Sequence, residues 1–227
     1  MINYSAADED FSNTETFNYS ENRLISIVES DSDSTDEYST TFQYTNDKLV
    51  RVEFLDLNEL VEYVTLDYNS NGLLTNFTTF LFDVDGENVA TNSIKTYDNS
   101  NISLELNRDD FSSQTEFIGN IEYVIINGNI SETSSDISDN TESYQYDTKN
   151  STFKNIFDME TIILIMDTSE NGLEIYGSTN NVTQRTNVQS DFPYMETTGY
   201  TYNESDYSNT AMYYIDGELE DNIEFIY

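Results

Sequence analysis

Apolar and polar residues alternate along most of this chain in short runs broken by polar turns. In residues 49–55, Val50, Val52 and Phe54 share one face while Arg51 and Glu53 lie on the other, which is the two-residue period of a half-buried β-strand. Leu60, Glu62, Val64, Leu66 and Tyr68 fall on one side of the next run. Turn formers stand between the runs: residues 20–23, 45–48, Asn69-Ser70-Asn71-Gly72, Asp83-Val84-Asp85-Gly86, Asn127-Gly128 and Asp216-Gly217. Asn-Gly and Asp-Gly supply the positive φ that a tight hairpin requires. Residues 73–82 are apolar at both parities, predicting burial on both sides or a bulge that changes the face.

One frame recurs within this pattern. An aromatic residue or Leu, one further residue and a Tyr close a run, and an apolar residue opens the next run five positions after the Tyr. It reads Phe17-Asn18-Tyr19 to Leu24, Phe42-Gln43-Tyr44 to Leu49, Leu66-Asp67-Tyr68 to Leu73, Tyr97 to Ile102, and Tyr200-Thr201-Tyr202 to Tyr207. Tyr144-Gln145-Tyr146 is a weaker copy. The first three frame tyrosines stand 25 and 24 residues apart, a spacing that marks a repeated supersecondary unit. The predicted fold is mainly β: an antiparallel β-meander of repeated hairpins forming a large twisted or partly curled sheet, since a flat one would leave long edges open to pairing. The alternation fails between Asp147 and Val182, where Phe157 and then Ile162, Ile163, Leu164, Ile165 and Met166 are too continuous for a half-exposed strand. A short helical or irregular insertion near 150–166, packed on one end of the sheet, is predicted there. Residues 1–16 read as an N-terminal tether or edge segment, and 17–227 as a single β domain.

Composition narrows what such a sheet can do. The 227 residues carry 44 acids against eight scattered bases, a net charge of -36. No positive stripe can be assembled for nucleic acid or for an anionic membrane surface. An acidic surface favours solubility in a salty or extracellular medium, or else affinity for divalent cations or a basic partner; the first is the simpler reading. With no cysteine and no histidine, disulfides, thiol nucleophiles, His-bearing zinc sites and Ser-His-Asp triads are all excluded. No apolar run approaches the length of a membrane helix. Met1-Ile2-Asn3-Tyr4-Ser5 lacks the basic and apolar regions of a signal peptide, so an exported form would correspond to a trimmed mature chain, without any lipid-anchor cysteine.

The remaining chemistry is that of carboxylates and aromatic rings. Asp31-Ser32-Asp33-Ser34-Thr35-Asp36-Glu37 and Asp83-Val84-Asp85-Gly86-Glu87 group hard oxygens as calcium requires, though neither has the full register of a calcium-binding loop. The second is equally an Asp-Gly turn. Calcium is therefore the one cofactor considered, and no residue is singled out as catalytic, cofactor-binding or metal-ligating. The 18 tyrosines suit a sugar-stacking platform or, as their regular spacing favours, cross-strand ladders that knit the sheet.

The frame, the segment Tyr146-Asp147-Thr148-Lys149-Asn150-Ser151-Thr152-Phe153-Lys154-Asn155 and the closing Gly199-Tyr200-Thr201-Tyr202 and Ile223-Glu224-Phe225-Ile226-Tyr227 resemble the YD-repeat-like exported lipoproteins of Bacteroidota, whose function is unknown. Ser151-Thr152 stands where that group usually has Asn-Pro. Asn71-Gly72-Leu73 carries a more distant resemblance to the Rhs and teneurin YD repeats. The resemblance implies an antiparallel meander, an outer-membrane or periplasmic location, no assigned enzymatic activity, and a possible short O-glycosylation site at Asp33-Ser34-Thr35. The expected protein is a non-enzymatic binding or assembly component at the cell surface or in the periplasm. Its partner would be another protein or a second copy of itself, with no nucleic acid, and a membrane reached only through a lipid anchor absent from this chain. Two rivals stand beside it: a self-assembling surface or filament subunit using N-terminal strand addition, and a carbohydrate-binding accessory protein.

Overall fold

The computed structural model describes residues 1–6, 12–32, 37–82, 88–98, 101–138, 140–168, 179–187 and 193–227. Among them run β1 (Ile2–Ala6), β2 (Ser12–Ser20), β3 (Arg23–Asp31), β4 (Glu37–Thr45), β5 (Lys48–Asp56), β6 (Glu59–Tyr68), β7 (Leu74–Leu81) and β8 (Val89–Asp98). They are followed by β9 (Asn101–Asp110), β10 (Glu116–Ile126), β11 (Asn129–Ser135), β12 (Asn140–Tyr146), helix α1 (Met159–Thr168), β13 (Val182–Asn187), β14 (Tyr194–Tyr202), β15 (Ser208–Ile215) and β16 (Glu218–Phe225). Each strand pairs antiparallel with its successor, and β1 pairs with both β2 and β16, so the meander closes into a barrel. The antiparallel meander of hairpins is as expected, and its curl is complete. Residues 2–6 are neither a tether nor an edge: Ile2 stands opposite Phe225 on one side and Glu15 on the other. The division at residue 16 falls inside β2. A strand in this place removes the edge that an open meander would expose.

The recurring frame is a hairpin with a bulge. The register shifts just before Tyr19, Tyr44, Tyr68 and Tyr202, and the residues then opposite are Leu24, Leu49, Leu74 and Ser208. At two of these the sequence frame is one residue short. Leu73 is exposed and Leu74 enters the core. The reason is a longer loop held by an Asn side chain: Asn69 Oδ1 accepts from the backbone amides of Asn71 and Leu73, at 2.9 and 3.1 Å. Asn203 repeats the device on Ser205 and Tyr207. Two-residue turns elsewhere place both central residues at positive φ: Asn46-Asp47, Leu57-Asn58, Asn127-Gly128 and Asp216-Gly217. These turns match the strand twist.

Six of the frame-side hairpins (β2–β3, β4–β5, β6–β7, β8–β9, β10–β11, β14–β15) and the insertion between β12 and β13 lie at the same end of the barrel. The insertion seals this frame rim. Phe157 N donates to Asn22 O at 2.7 Å, Asn150 N to Asp206 O at 2.9 Å, and Lys149 Nζ to Asp206 at 2.7 Å. Phe153 is fully buried against Phe17, ring centroids 5.2 Å apart. Helix α1 then enters the interior rather than packing on one end of the sheet. Met159 and residues 161–166 are all buried, as befits a helix apolar on every side. Thr161 Oγ1 donates to Asp158 at its start, at 2.8 Å, and Glu160 in the first turn suits the helix dipole.

Inward-facing wall residues complete this core: Leu24, Ile27, Val52, Val64, Phe77, Leu104 and Tyr123 are almost wholly buried. The outer face is largely polar, apart from an aromatic patch where Tyr63, opposite Glu53, stacks on Phe80. Residues flanked in sequence by buried neighbours, or paired across from such residues, must point outward; they include Glu53, Asp67, Glu105, Glu122, Glu132 and Glu224, with Thr41, Thr65 and Asn76 between them.

Candidate ligand site in the barrel interior

Beyond α1, toward the rim opposite the frame turns, the interior becomes polar. Period-two alternation brings Glu142 and Tyr144 of β12 to the inner face, and register places Arg185 of β13 opposite Tyr144 and Glu196 of β14 opposite Arg185. Arg185 grips Glu142 with two hydrogen bonds, Nε to Oε2 at 2.9 Å and Nη2 to Oε1 at 3.0 Å, the strong bidentate geometry. Three further donors converge on that carboxylate: the Tyr144 hydroxyl at 2.7 Å, the Tyr194 hydroxyl at 2.9 Å and Asn140 Nδ2 at 3.1 Å. Arg185 Nη1 lies 3.7 Å from Glu196 Oε2. Burial works to raise the Glu142 carboxyl, but the Arg185 charge and the Tyr144, Tyr194 and Arg185 hydrogen bonds outweigh it and hold Glu142 below its ordinary value. Glu196 goes the other way: burial lifts it more than Arg185 lowers it. The Tyr194 hydroxyl is pushed up to about 12, chiefly by burial.

This cluster forms one end of a cavity of about 460 Å³. Among the described residues, its hydroxyl-bearing lining comes from Thr79, Thr91, Ser93, Thr133, Ser134, Ser135 and Ser138, and its apolar lining from Leu106, Ile118, Ile121 and Ile137; Asn140, Glu142 and Arg185 complete it. A second cavity of about 380 Å³ lies at the frame rim, between Phe17, Tyr19, Ile156 and Phe225.

The frame tyrosines are elsewhere, and they form no cross-strand ladder. They sit on alternate strands, Tyr19, Tyr44, Tyr68 and Tyr97 on β2, β4, β6 and β8 opposite Leu or Ile, and Tyr202 on β14 opposite Ser208. Tyr44, Tyr68 and Tyr97 surround the start of α1 with three cations: Arg23 lies over Tyr44 and Phe157, Lys48 over Tyr68, and Lys95 over Tyr97 at 4.5 Å. Lys95 also reaches Glu160 at 3.1 Å. Burial and the nearby Asp158 charge raise both Tyr44 and Tyr68. These tyrosines collar the plug. Of the two calcium candidates, residues 33–36 and 83–87 lie outside the described residues, and so does the whole of Asp33-Ser34-Thr35. Among the described residues, no three carboxylates gather as a metal site. The Arg185 cluster has no local motif: Arg185 and Tyr194 stand 43 and 52 residues from Glu142 in sequence.

No family model matches the chain, and no curated protein matches it. The fold does have solved counterparts. A porin-like protein from Bacteroides uniformis ATCC 8492 aligns over 99% of this chain and 96% of its own, with a TM-score of 0.62 at 15% identity. A porin-like protein from Bacteroides vulgatus ATCC 8482 aligns over 100% and 96%, with a TM-score of 0.59 at 12% identity. At such identities the likeness is one of fold. Both neighbours come from Bacteroides, within the group that the sequence resemblance named; the YD-repeat assignment itself gains no family match.

Proposed function

We propose that this protein is a non-enzymatic binding component of the bacterial envelope, a water-facing barrel that takes a small ligand into the half of its interior away from the plug. The observation that carries this reading is the cavity beside Arg185 and Glu142, polar and roomy in a barrel whose other end is filled by α1. Pockets of this kind combine apolar walls with a few fixed polar groups. Membrane-spanning barrels carry an apolar outer band and a polar interior. Here carboxylates such as Glu53, Glu105 and Glu122 occupy mid-strand positions of the outer face while the plugged half of the interior is apolar, which favours a barrel bathed in water, at the cell surface or in the periplasm. Strand addition by residues 1–16 has no support from the fold, because Ile2–Ala6 already pairs on both sides.

The chain has no cysteine, so a single introduced thiol reports cleanly. Thr91→Cys in the cavity is expected to react with a small methanethiosulfonate reagent in the native, detergent-free protein, while Leu164→Cys on the plug stays protected until unfolding. Protection of both thiols, or a requirement for detergent, would sink the reading.

A further inference from the structure

We infer that the interior cavity is built for a neutral, polyhydroxylated ligand, a saccharide; this rests on the reading that the cavity is a binding site. Charge excludes anions. Arg185 is the one cation lining the cavity among the described residues, and its guanidinium is already spent on Glu142 with Glu196 nearby, leaving one net negative charge in a chain of net charge -36. Among the described lining residues a carboxylate or phosphate ligand would meet no free counter-charge, and it would enter a repulsive field. Cations are disfavoured for a different reason. Glu142, the one carboxylate lining the cavity among the described residues, accepts five hydrogen bonds from Arg185, Tyr144, Tyr194 and Asn140, so its two oxygens have no capacity left for an ammonium group.

What the cavity does offer is hydroxyl chemistry. Thr79 and Thr91 stand directly opposite each other on β7 and β8, with Ser93 beside them and Thr133 and Ser135 on β11. Each hydroxyl donates and accepts, as the hydroxyls of a sugar do. Asn140 adds a directed acceptor: its Nδ2 donates to Glu142 at 3.1 Å, which fixes the amide orientation, and its Oδ1 is buried with no hydrogen-bond partner. A buried acceptor left unsatisfied is unfavourable, and a ligand O–H would satisfy it. Leu106, Ile118 and Ile121 supply an aliphatic surface for the C–H faces of a pyranose ring.

The test uses the full chain and saturation-transfer NMR with maltose, N-acetylglucosamine, galacturonate, tetramethylammonium and laurate as probes. Maltose or N-acetylglucosamine is expected to bind while galacturonate and tetramethylammonium do not. Thr91→Val and Asn140→Leu should each weaken that binding about threefold to tenfold, with the outer-face Thr41→Val unchanged as the folding-matched control. Binding of galacturonate, tetramethylammonium or laurate in preference to the neutral sugars overturns the inference, and so does silence from every probe. If Thr91→Cys is labelled and the sugars fail, the ligand class alone falls; if Thr91→Cys is protected, the binding-site reading falls with it.

Discussion

Arg185 and Lys95 are both cations inside the barrel, and their partners make opposite demands on them. Glu142 is almost wholly buried, its side chain 8% exposed, so Arg185→Met strands a carboxylate away from water. The expected loss of stability is about 3–5 kcal/mol, measured by urea unfolding, with the double variant Arg185→Met/Glu142→Leu recovering much of it. Lys95 is itself the buried member of its pair, while Glu160 is half exposed. Lys95→Met therefore leaves a partner that water can solvate, and its effect is expected to stay within about 1 kcal/mol. Neither residue stood out in the sequence, where eight bases look scattered. The parity of Glu142 and Tyr144 was visible, but equal spacings abound in so acidic and tyrosine-rich a chain. Only the register of β12, β13 and β14 turns that parity into a site.

At the scale of elements, local chemistry was largely legible because turns are local. Asn127-Gly128 and Asp216-Gly217 form the tight hairpins that their residues predict. The frame misplaced Leu73 and Tyr207 by one position because an Asn side chain lengthens both loops, a contact that hydrophobic spacing does not encode. Asn69→Ala removes two of these bonds and is expected to destabilise the barrel by about 1 kcal/mol, read as a shift of the urea midpoint. Helix α1 was legible as an unbroken apolar run; its position within the barrel was not, since an all-apolar segment states only that it is buried. Leu164, fully enclosed, is expected to cost about 2–5 kcal/mol when truncated to Ala.

For the whole molecule, closure depends on pairing between segments more than 200 residues apart, Ile2 with Phe225, and no local period reports such a contact. The same seam carries a pH dependence. Ile2 is also opposite Glu15, which faces Glu29 across β2 and β3. Burial first, then the Glu29 charge, raise Glu15 to about 8; burial also raises Glu29, Asp158, Glu196 and Asp221. Groups raised in the folded state bind more protons there than in the unfolded chain, so their stabilisation is complete in mild acid and disappears as pH climbs through the folded values. Stability is expected to fall between about pH 4.5 and 8, and Glu15→Gln should flatten much of that slope in urea titrations at stepped pH.

The plug enters between β12 and β13, and this sets an order of events during synthesis. Twelve strands emerge before the helix that fills their inner face, and β1 waits for β16 before its second edge is paired. Until then the nascent sheet carries an uncovered apolar concavity and a free strand edge, the features that draw chaperones and invite aggregation. Non-local pairing of this kind folds slowly. The completed barrel hides both hazards, but a ribosome stalled after β12 would display them together.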